Sequence, residues 1–244
     1  MATKTNKADE ILAALEKHAR PNETELVGRF FKSHEGGYSY GDVFIAVKVP
    51  LIRGVAKQYA DMSLLEIEQV LESPIHEMRE LAVFVMAAQA INARKRKDEA
   101  QMKALYDLYL RRTDRINNWD IVDTSCRDVV GEYIILHPEE AQTLRRLAQS
   151  QDLWERRIAM VSCWAMIRQS QLDLPYEIAE MLLHDKHDLI HKAVGWMLRS
   201  AGDKDQDRLR EFLVKHIAQM PRTALRYAIE HFDAEERQYF LRLK

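Results

Sequence analysis

Helix-breaking residues are scarce in this chain, and their scarcity constrains the fold more than any other feature. Eight glycines and six prolines occur in 244 residues, roughly half the share of an average globular protein. From residue 9 to the C-terminus, apolar side chains recur at the three- and four-residue spacing of amphipathic helices. The sequence therefore predicts an all-α protein, with a flexible tail over residues 1–8 and a single domain over residues 9–244.

Helix starts are well marked along the chain. Ser63 followed by Glu66 has the pattern of a capping box. Proline is favoured in the first turn of a helix, and the prolines that we take as helix starts are Pro50, Pro74, Pro138, Pro175 and Pro221. The apolar segment 43–49 resembles a strand, but no neighbouring segment offers it a partner, so we predict a packed loop there.

A weak internal repeat accompanies the helices. Arg79, Arg156 and Lys192 each stand three residues before a small residue, with spacings that fit a period of about 36–40 residues, close to that of HEAT-type helix pairs. Such pairs stack into a curved α–α superhelix. We therefore predict HEAT-like helical repeats with a concave surface, against the alternative of an ordinary helical bundle with coincidental similarity.

Three segments place a tryptophan at helical spacing from a charged side chain, so that both lie on one helix face. The groups are Trp119 with Asp123, Trp154 with Arg157, and Trp196 with Lys192 and Arg199. In successive repeats these faces would converge on the concave surface, although a tryptophan on a helix more often belongs to the core. Trp164 lies among apolar residues, and we assign it to the core.

Charge is unevenly distributed. The net charge is −2, but residues 61–80 are rich in acids, whereas residues 94–97 are all basic. Such segregation predicts a basic concave groove able to hold phosphates and an acidic remainder, although residues 94–97 could equally be a solvated helix end. The bases that we expect to contact phosphates there are Arg156, Lys192, Arg199, Arg222 and Arg226.

Several classes of protein are disfavoured. No stretch has the length of a membrane span, and the N-terminus lacks an apolar signal core, so we expect a cytoplasmic protein. Cys126 and Cys163 lie in apolar segments and read as buried thiols. No glycine-rich phosphate loop or nucleophile elbow occurs. The histidines at 184, 187 and 191 fit a turn better than a metal site, and we expect no metal or cofactor.

The three tryptophan segments resemble the AlkD-like DNA alkylation repair family, whose members are helical-repeat DNA glycosylases. The resemblance runs from residue 25 to residue 230. Its fairly specific strings are Trp-Asp-Ile-Val-Asp at residues 119–123 and Gly-Trp-Met-Leu-Arg at residues 195–199. Residues 41–50, 154–159 and 222–230 add shorter matches.

This resemblance implies a role for individual residues. Asp123 matches the catalytic carboxylate of the family, Trp119 and Trp196 match two indoles that flank the lesion, and Arg157 matches an active-site arginine near the DNA backbone. Phe30 stands where family members can carry a tyrosine, so a hydroxyl contact to DNA is missing here.

The resemblance also implies a reaction. It predicts a monofunctional glycosylase that removes cationic N3- or N7-alkylated purines from duplex DNA by hydrolysis, without turning the base into a pocket, and that initiates base excision repair. We expect a monomer with no obligate protein partner. The alternative is a non-catalytic helical-repeat module that binds DNA or acts as a protein scaffold.

Overall fold

The computed structural model describes residues 6–243, and the chain folds into two compact units, Met1–Ser125 and Cys126–Lys244. The single domain over residues 9–244 stays a prediction. The first unit contains α1 (Lys7–Glu16), α2 (Thr24–Phe30), α3 (Val49–Ala56), α4 (Leu64–Leu71), α5 (His76–Arg96), α6 (Glu99–Arg111) and α7 (Trp119–Asp123). The predicted tail is too long, because Asn6 caps α1 and Lys7 and Ala8 belong to that helix. The rest of the tail prediction falls on residues 1–5, outside the described part.

Helix α5 is the centre of the first unit. It is buried continuously from His76 to Ala87, and α3, α4 and α6 pack against it. A helix covered on all sides is expected to be apolar all round. The first turns of α5 break that rule, because His76, Arg79 and Glu80 are almost fully buried. Buried charges require partners, and their partners define the site described below.

Residues 43–48 form a packed loop, as predicted, and α3 begins at Val49. Val43 forms an isolated parallel bridge with Ile75, in which the amide of Val43 donates to the carbonyl of Pro74 and the amide of His76 donates to the carbonyl of Val43. A left-handed backbone at Ala46, with φ of 58°, prevents the segment from continuing as a strand. These backbone hydrogen bonds therefore attach the loop to the start of α5.

The second unit is also helical within the described residues. It begins with a π-helical turn, Arg127–Gly131. There follow α8 (Glu132–Leu136), α9 (Ala141–Ala148), α10 (Leu153–Ser162), α11 (Trp164–Arg168), α12 (Asp173–Met181), α13 (Asp188–Gly202), α14 (Gln206–His216), α15 (Arg222–Ala228) and α16 (Ala234–Leu243). Helix α13 is the centre of this unit, and α10, α14 and α15 pack against it.

The local signals in the sequence correspond to real helix ends. Ser63 and Glu66 form the predicted capping box at the start of α4. Pro50 lies in the first turn of α3, and Pro221 is the N-cap of α15. Pro74 precedes α5 by two residues, because the bridge to Val43 delays the helix.

The basic residues of the weak repeat each hold an aspartate. Arg79 pairs with Asp42 at 2.7 Å, Arg156 with Asp185 at 2.5 Å, and Lys192 with Asp188 at 2.8 Å. These pairs tie a helix to a loop or to its own first turn. The all-α fold of helical repeats is confirmed, while the predicted basic concave groove stays a prediction. Within residues 6–243, no helix has both the length and the apolar character that a bilayer crossing requires.

Replacement of Gly195 by alanine tests the packing of α13 against α15. A Cβ at this position would lie 2.5 Å from the carbonyl oxygen of Ala224 and 2.5 Å from the Cβ of Tyr227. We expect Gly195→Ala to lower the free energy of unfolding by about 1–3 kcal/mol, measured by urea denaturation. The matched control is Gly54→Ala in α3, where the new Cβ meets nothing within 4 Å, and which should gain about 0.5–1 kcal/mol. An equal gain in both variants would contradict the close packing of α13 on α15.

Candidate active site

The short helix α7 carries two of the predicted catalytic residues. Trp119 and Asp123 are its first and last residues, and both are half-buried. Their separation of four positions places them on one face. The N-cap of α7 is Asn118, a fully buried residue whose Oδ1 accepts from the amide of Trp119 at 2.8 Å and whose Nδ2 donates to Ser39 Oγ at 2.6 Å. The bonds of Asn118 therefore fix the start of α7, the helix that carries Trp119 and Asp123.

A buried histidine forms the second anchor of α7. His76 Nε2 lies 2.8 Å from Asp120 Oδ2, in the first turn of α7, and His76 Nδ1 lies 3.3 Å from Asp42 Oδ2. The other carboxylate oxygen of Asp42 accepts from Arg79 Nη2 at 2.7 Å. One chain of charged groups therefore connects the loop at Asp42, the start of α5 and the start of α7.

The charges in this network shift one another's titration. Burial by itself lowers the pKa of His76, but the charge and hydrogen bond of Asp120, with the hydrogen bond of Asp42, outweigh it and raise that pKa to about 9. Burial raises the pKa of Glu80 to about 8, and the negative charge of Asp120 adds to the effect while His76 opposes it. Burial also acts to raise the pKa of Asp42, but its bond to His76 and the charge of Arg79 bring it below the usual value.

The stability of the protein is expected to fall as pH rises from about 6 to 9. The folded state holds the proton of His76 more tightly than the unfolded chain, so its contribution is complete below pH 6.5 and is lost as pH rises through about 9. Glu80 acts in the same direction between pH 4.5 and about 8. Because one pKa unit corresponds to about 1.4 kcal/mol, the shift of His76 alone predicts a loss on the order of 3 kcal/mol, to which Glu80 adds, measured by urea denaturation.

Two variants check the source of this pH dependence. Glu80→Gln should flatten the part of the profile that Glu80 contributes, because glutamine stays neutral at every pH. Glu99→Gln, at an exposed glutamate in the first turn of α6, should leave the profile unchanged. A stability that is constant or increases up to pH 9 would contradict the assignment.

An aromatic stack holds the indole of Trp119. The ring of Phe31 stacks on Trp119 at 5.4 Å and on Phe44 at 5.1 Å, and both phenylalanine rings pack against His76. Phe30 meets Trp119 edge to face at 5.9 Å and is 64% exposed. One side of the indole is therefore fixed from within the unit, and Phe30 extends the apolar surface beside it.

Two tryptophans of the second unit differ from their predicted burial. Trp154, which the sequence places on the concave surface, is buried in the core. Trp164, which the sequence assigns to the core, is half-buried, packs edge to face on Trp196 at 5.2 Å and lies beneath the guanidinium of Arg127. Helical spacing alone cannot tell which face of α10 or α11 its neighbours cover, which is why both assignments are wrong.

The basic residues expected to contact DNA have partners inside the second unit, or lie exposed. Arg156 donates to Asp185 and to the carbonyls of Ser150 and Gln151. Arg199 pairs with Glu230, and Arg222 donates to the carbonyl of Leu241. Lys192 pairs with Asp188 in its own helix. Arg226 is exposed, and Arg157 is buried and donates to the carbonyl of Leu189 at the start of α13.

Several acids of the stretch 61–80 are buried or paired with bases. Glu77 is buried and accepts from the amides of Ile45 and Val47, and Glu80 is buried beside His76. Glu68 and Glu72 bind Arg112 at 3.2 and 2.5 Å. Four acids of this stretch are therefore buried or paired within the fold.

The sequence interpretation missed the network around His76. His76, Asp42 and Asp120 are distant in sequence, and each alone resembles an ordinary polar residue. One signal was available, because the first turns of α5 combine His76, Glu77, Arg79 and Glu80 with a long apolar segment. Charged residues in a helix that is otherwise buried indicate a polar cluster in the core.

The remaining candidate groups have structural roles. His187 caps α13, and His191 Nε2 lies 2.6 Å from the carbonyl oxygen of Asp185, so this turn holds α13. His184 is exposed. Cys126 and Cys163 are buried, as predicted, and burial raises the pKa of the Cys163 thiol far above its usual value.

The fold is one of helical repeats, and one short helix carries an anchored tryptophan and a carboxylate. Comparison with known proteins identifies the family. The family model for the DNA alkylation repair enzyme matches residues 11–232, and the chain belongs to that family. The fold is similar to that of a predicted DNA alkylation repair enzyme from Enterococcus faecalis, with a TM-score of 0.68 and 17% identity over 89% of this chain and 98% of that one. A search of curated proteins found no significant match.

Proposed function

We propose that this protein is a monofunctional DNA glycosylase that releases cationic N3- and N7-alkylated purines, such as 3-methyladenine and 7-methylguanine, from duplex DNA. The observation that carries the proposal is the face of α7, where Trp119 and Asp123 stand together on a helix anchored by Asn118 and by the His76–Asp120 pair. A catalytic constellation needs this kind of rigid support. Membership of the DNA alkylation repair enzyme family supports the same direction.

The proposed reaction needs few catalytic groups. An alkylated purine carries a positive charge and is already a good leaving group, so no strong acid is needed. As the glycosidic bond breaks, positive charge develops on the deoxyribose. The carboxylate of Asp123 stabilises that charge and orients the attacking water. The base leaves without its rotation into a pocket.

Aromatic faces provide the second contribution. Indole rings attract cations through their quadrupole, and Trp119 is held in a fixed orientation by Phe31. We propose the same role for Trp196, which is supported by Trp164. Phe30 extends the surface beside Trp119 without a hydroxyl, so binding there relies on apolar contact.

The DNA backbone is proposed to meet the second unit. The exposed Arg226 is assigned to a phosphate. Arg157 is assigned to a second phosphate, for which it would have to give up its bond to the carbonyl of Leu189. To bind DNA, Lys192 and Arg199 would have to contact phosphates while they also pair with Asp188 and Glu230. Arg222 would have to do so while it donates to a main-chain carbonyl. Arg156 is committed to Asp185 and to two carbonyls, and we therefore propose a structural role for it in place of the expected DNA contact.

The test is incubation of the protein with methylated duplex DNA, with chromatographic identification of the free bases. We expect release of 3-methyladenine and 7-methylguanine with an intact strand. Binding that weakens steeply with salt, but without base release, would favour a non-catalytic DNA-binding module. Absence of DNA binding at low salt would favour a protein scaffold.

A further inference from the structure

A group of metal-ligating side chains lies inside the first unit, behind the face of α7. His76 and Glu80 are four positions apart on α5 and therefore share one side of that helix. Asp120 approaches from the first turn of α7. One ligand atom from each residue lies within 4.8 Å of the other two, and all three residues are buried. We propose that His76, Glu80 and Asp120 bind one divalent transition-metal ion of the Zn²⁺ or Mn²⁺ class.

The orientation of His76 is that of a metal ligand with its supporting group. Asp42 Oδ2 lies 3.3 Å from His76 Nδ1, and Arg79 holds the other oxygen of Asp42 at 2.7 Å. Histidine ligands commonly donate their second ring nitrogen to a carboxylate in this way, which fixes the ring and directs the remaining nitrogen at the metal. Here Nε2 is directed at Asp120 Oδ2, and a carboxylate oxygen of Glu80 lies within 4.8 Å.

The burial of Glu80 supports the proposed metal site independently of the ligand spacing. Its side chain is 2% exposed, and its Oε1 has no hydrogen-bond partner. A buried carboxylate oxygen without a partner is costly. Arg79 Nη2 pairs with Asp42, whereas Arg79 Nε has no hydrogen-bond partner, and Glu77 accepts from backbone amides. A cation between Glu80, Asp120 and His76 would satisfy this oxygen.

Charge and donor type select the ion. Binding of the ion would release one proton from His76 and one from Glu80. The resulting neutral imidazole and two carboxylates carry a charge of −2, which one divalent ion cancels. One nitrogen and two oxygen donors suit Zn²⁺, Mn²⁺ or Co²⁺, whereas Ca²⁺ and Mg²⁺ prefer oxygen donors alone. Ligand bonds of about 2.0–2.2 Å require the three atoms to draw together around the ion, which replaces the hydrogen bond between His76 and Asp120.

The ion would fix the position of α7. It would connect α5 directly to the first turn of the helix that carries Trp119 and Asp123, in place of a hydrogen bond. The site is therefore structural and takes no part in the proposed reaction, so its test does not depend on base release.

The experiment uses the full-length protein after treatment with a chelator, titrated with Co²⁺. We expect one Co²⁺ per chain by calorimetry, a visible absorption band typical of nitrogen and oxygen ligation, and a rise in Tm of about 5 °C or more at saturation. Mg²⁺ should not reproduce the rise. Asp42→Asn should weaken Co²⁺ binding by about 10- to 100-fold, and Glu80→Gln should abolish the absorption band.

The matched control is Glu99→Gln, which should bind Co²⁺ as the wild type does. Glutamine at position 80 is also the decisive comparison, because it imitates a glutamic acid that holds a proton. Absence of Co²⁺ binding by the wild type would overturn the proposal. Equal Co²⁺ binding by the wild type and Glu80→Gln would place the ion elsewhere and overturn it as well.

Discussion

Asp123→Asn is expected to reduce the release of 3-methyladenine from methylated duplex DNA by about 10²–10³-fold. The substitution keeps the shape of the side chain but removes the charge that stabilises the cationic deoxyribose in the transition state. Binding of duplex DNA should persist, because a carboxylate does not favour phosphate contacts. Single-turnover release, measured by chromatography of the free bases, separates this effect from binding, which fluorescence anisotropy measures.

The matched control for this variant is Asp107→Asn. Asp107 is exposed on α6 and pairs with Lys103 at 2.7 Å, so its loss should leave both release and binding unchanged. Full activity of Asp123→Asn would remove Asp123 from the proposed mechanism. A loss of DNA binding equal to the loss of release would instead assign Asp123 to the folding of α7.

His76→Ala is expected to lower the free energy of unfolding by about 3–5 kcal/mol, the cost of removing one partner from a buried ion pair. The substitution leaves Asp42 and Asp120 without the imidazole that lies between them, and it removes a ring from the stack with Phe31 and Phe44. Urea denaturation at neutral pH gives the measurement, with the chelator-treated protein as the reference.

His184→Ala is the control, because His184 is exposed in a turn and a surface substitution of this kind changes stability by less than about 0.5 kcal/mol. Base release by His76→Ala should also fall, since the start of α7 loses its bond to α5. A stability change for His76→Ala no larger than that of His184→Ala would contradict the anchoring role of the network.

The connection between anchor and site explains why polar groups are buried at the start of α5. A helix of only five residues has little stability of its own. Helix α7 is held by Asn118 at its N-cap and by Asp120 in its first turn, and Trp119 is held by the phenylalanine stack. Such support keeps the carboxylate of Asp123 in one orientation, which electrostatic stabilisation of a transition state requires.

The sequence by itself determined the properties that arise from neighbouring residues. The scarcity of glycine and proline with helical periodicity led to the all-α fold, Ser63 and Glu66 marked a helix start, and the string at residues 119–123 placed Trp119 and Asp123 on one face. Helix capping and periodicity depend on residues three or four positions apart, so one chain segment contains the information.

Tertiary structure alone decided which groups meet across the chain. It buried Trp154 and left Trp164 beside Trp196, it paired Glu68 and Glu72 with Arg112, and it brought Asp42 and Asp120 to the two nitrogens of His76. Burial and ion pairing depend on what the neighbouring helix presents. A charge count along the sequence therefore overstated the separation of acids and bases, and only the packed helices show that several of these charges neutralise one another within the first unit.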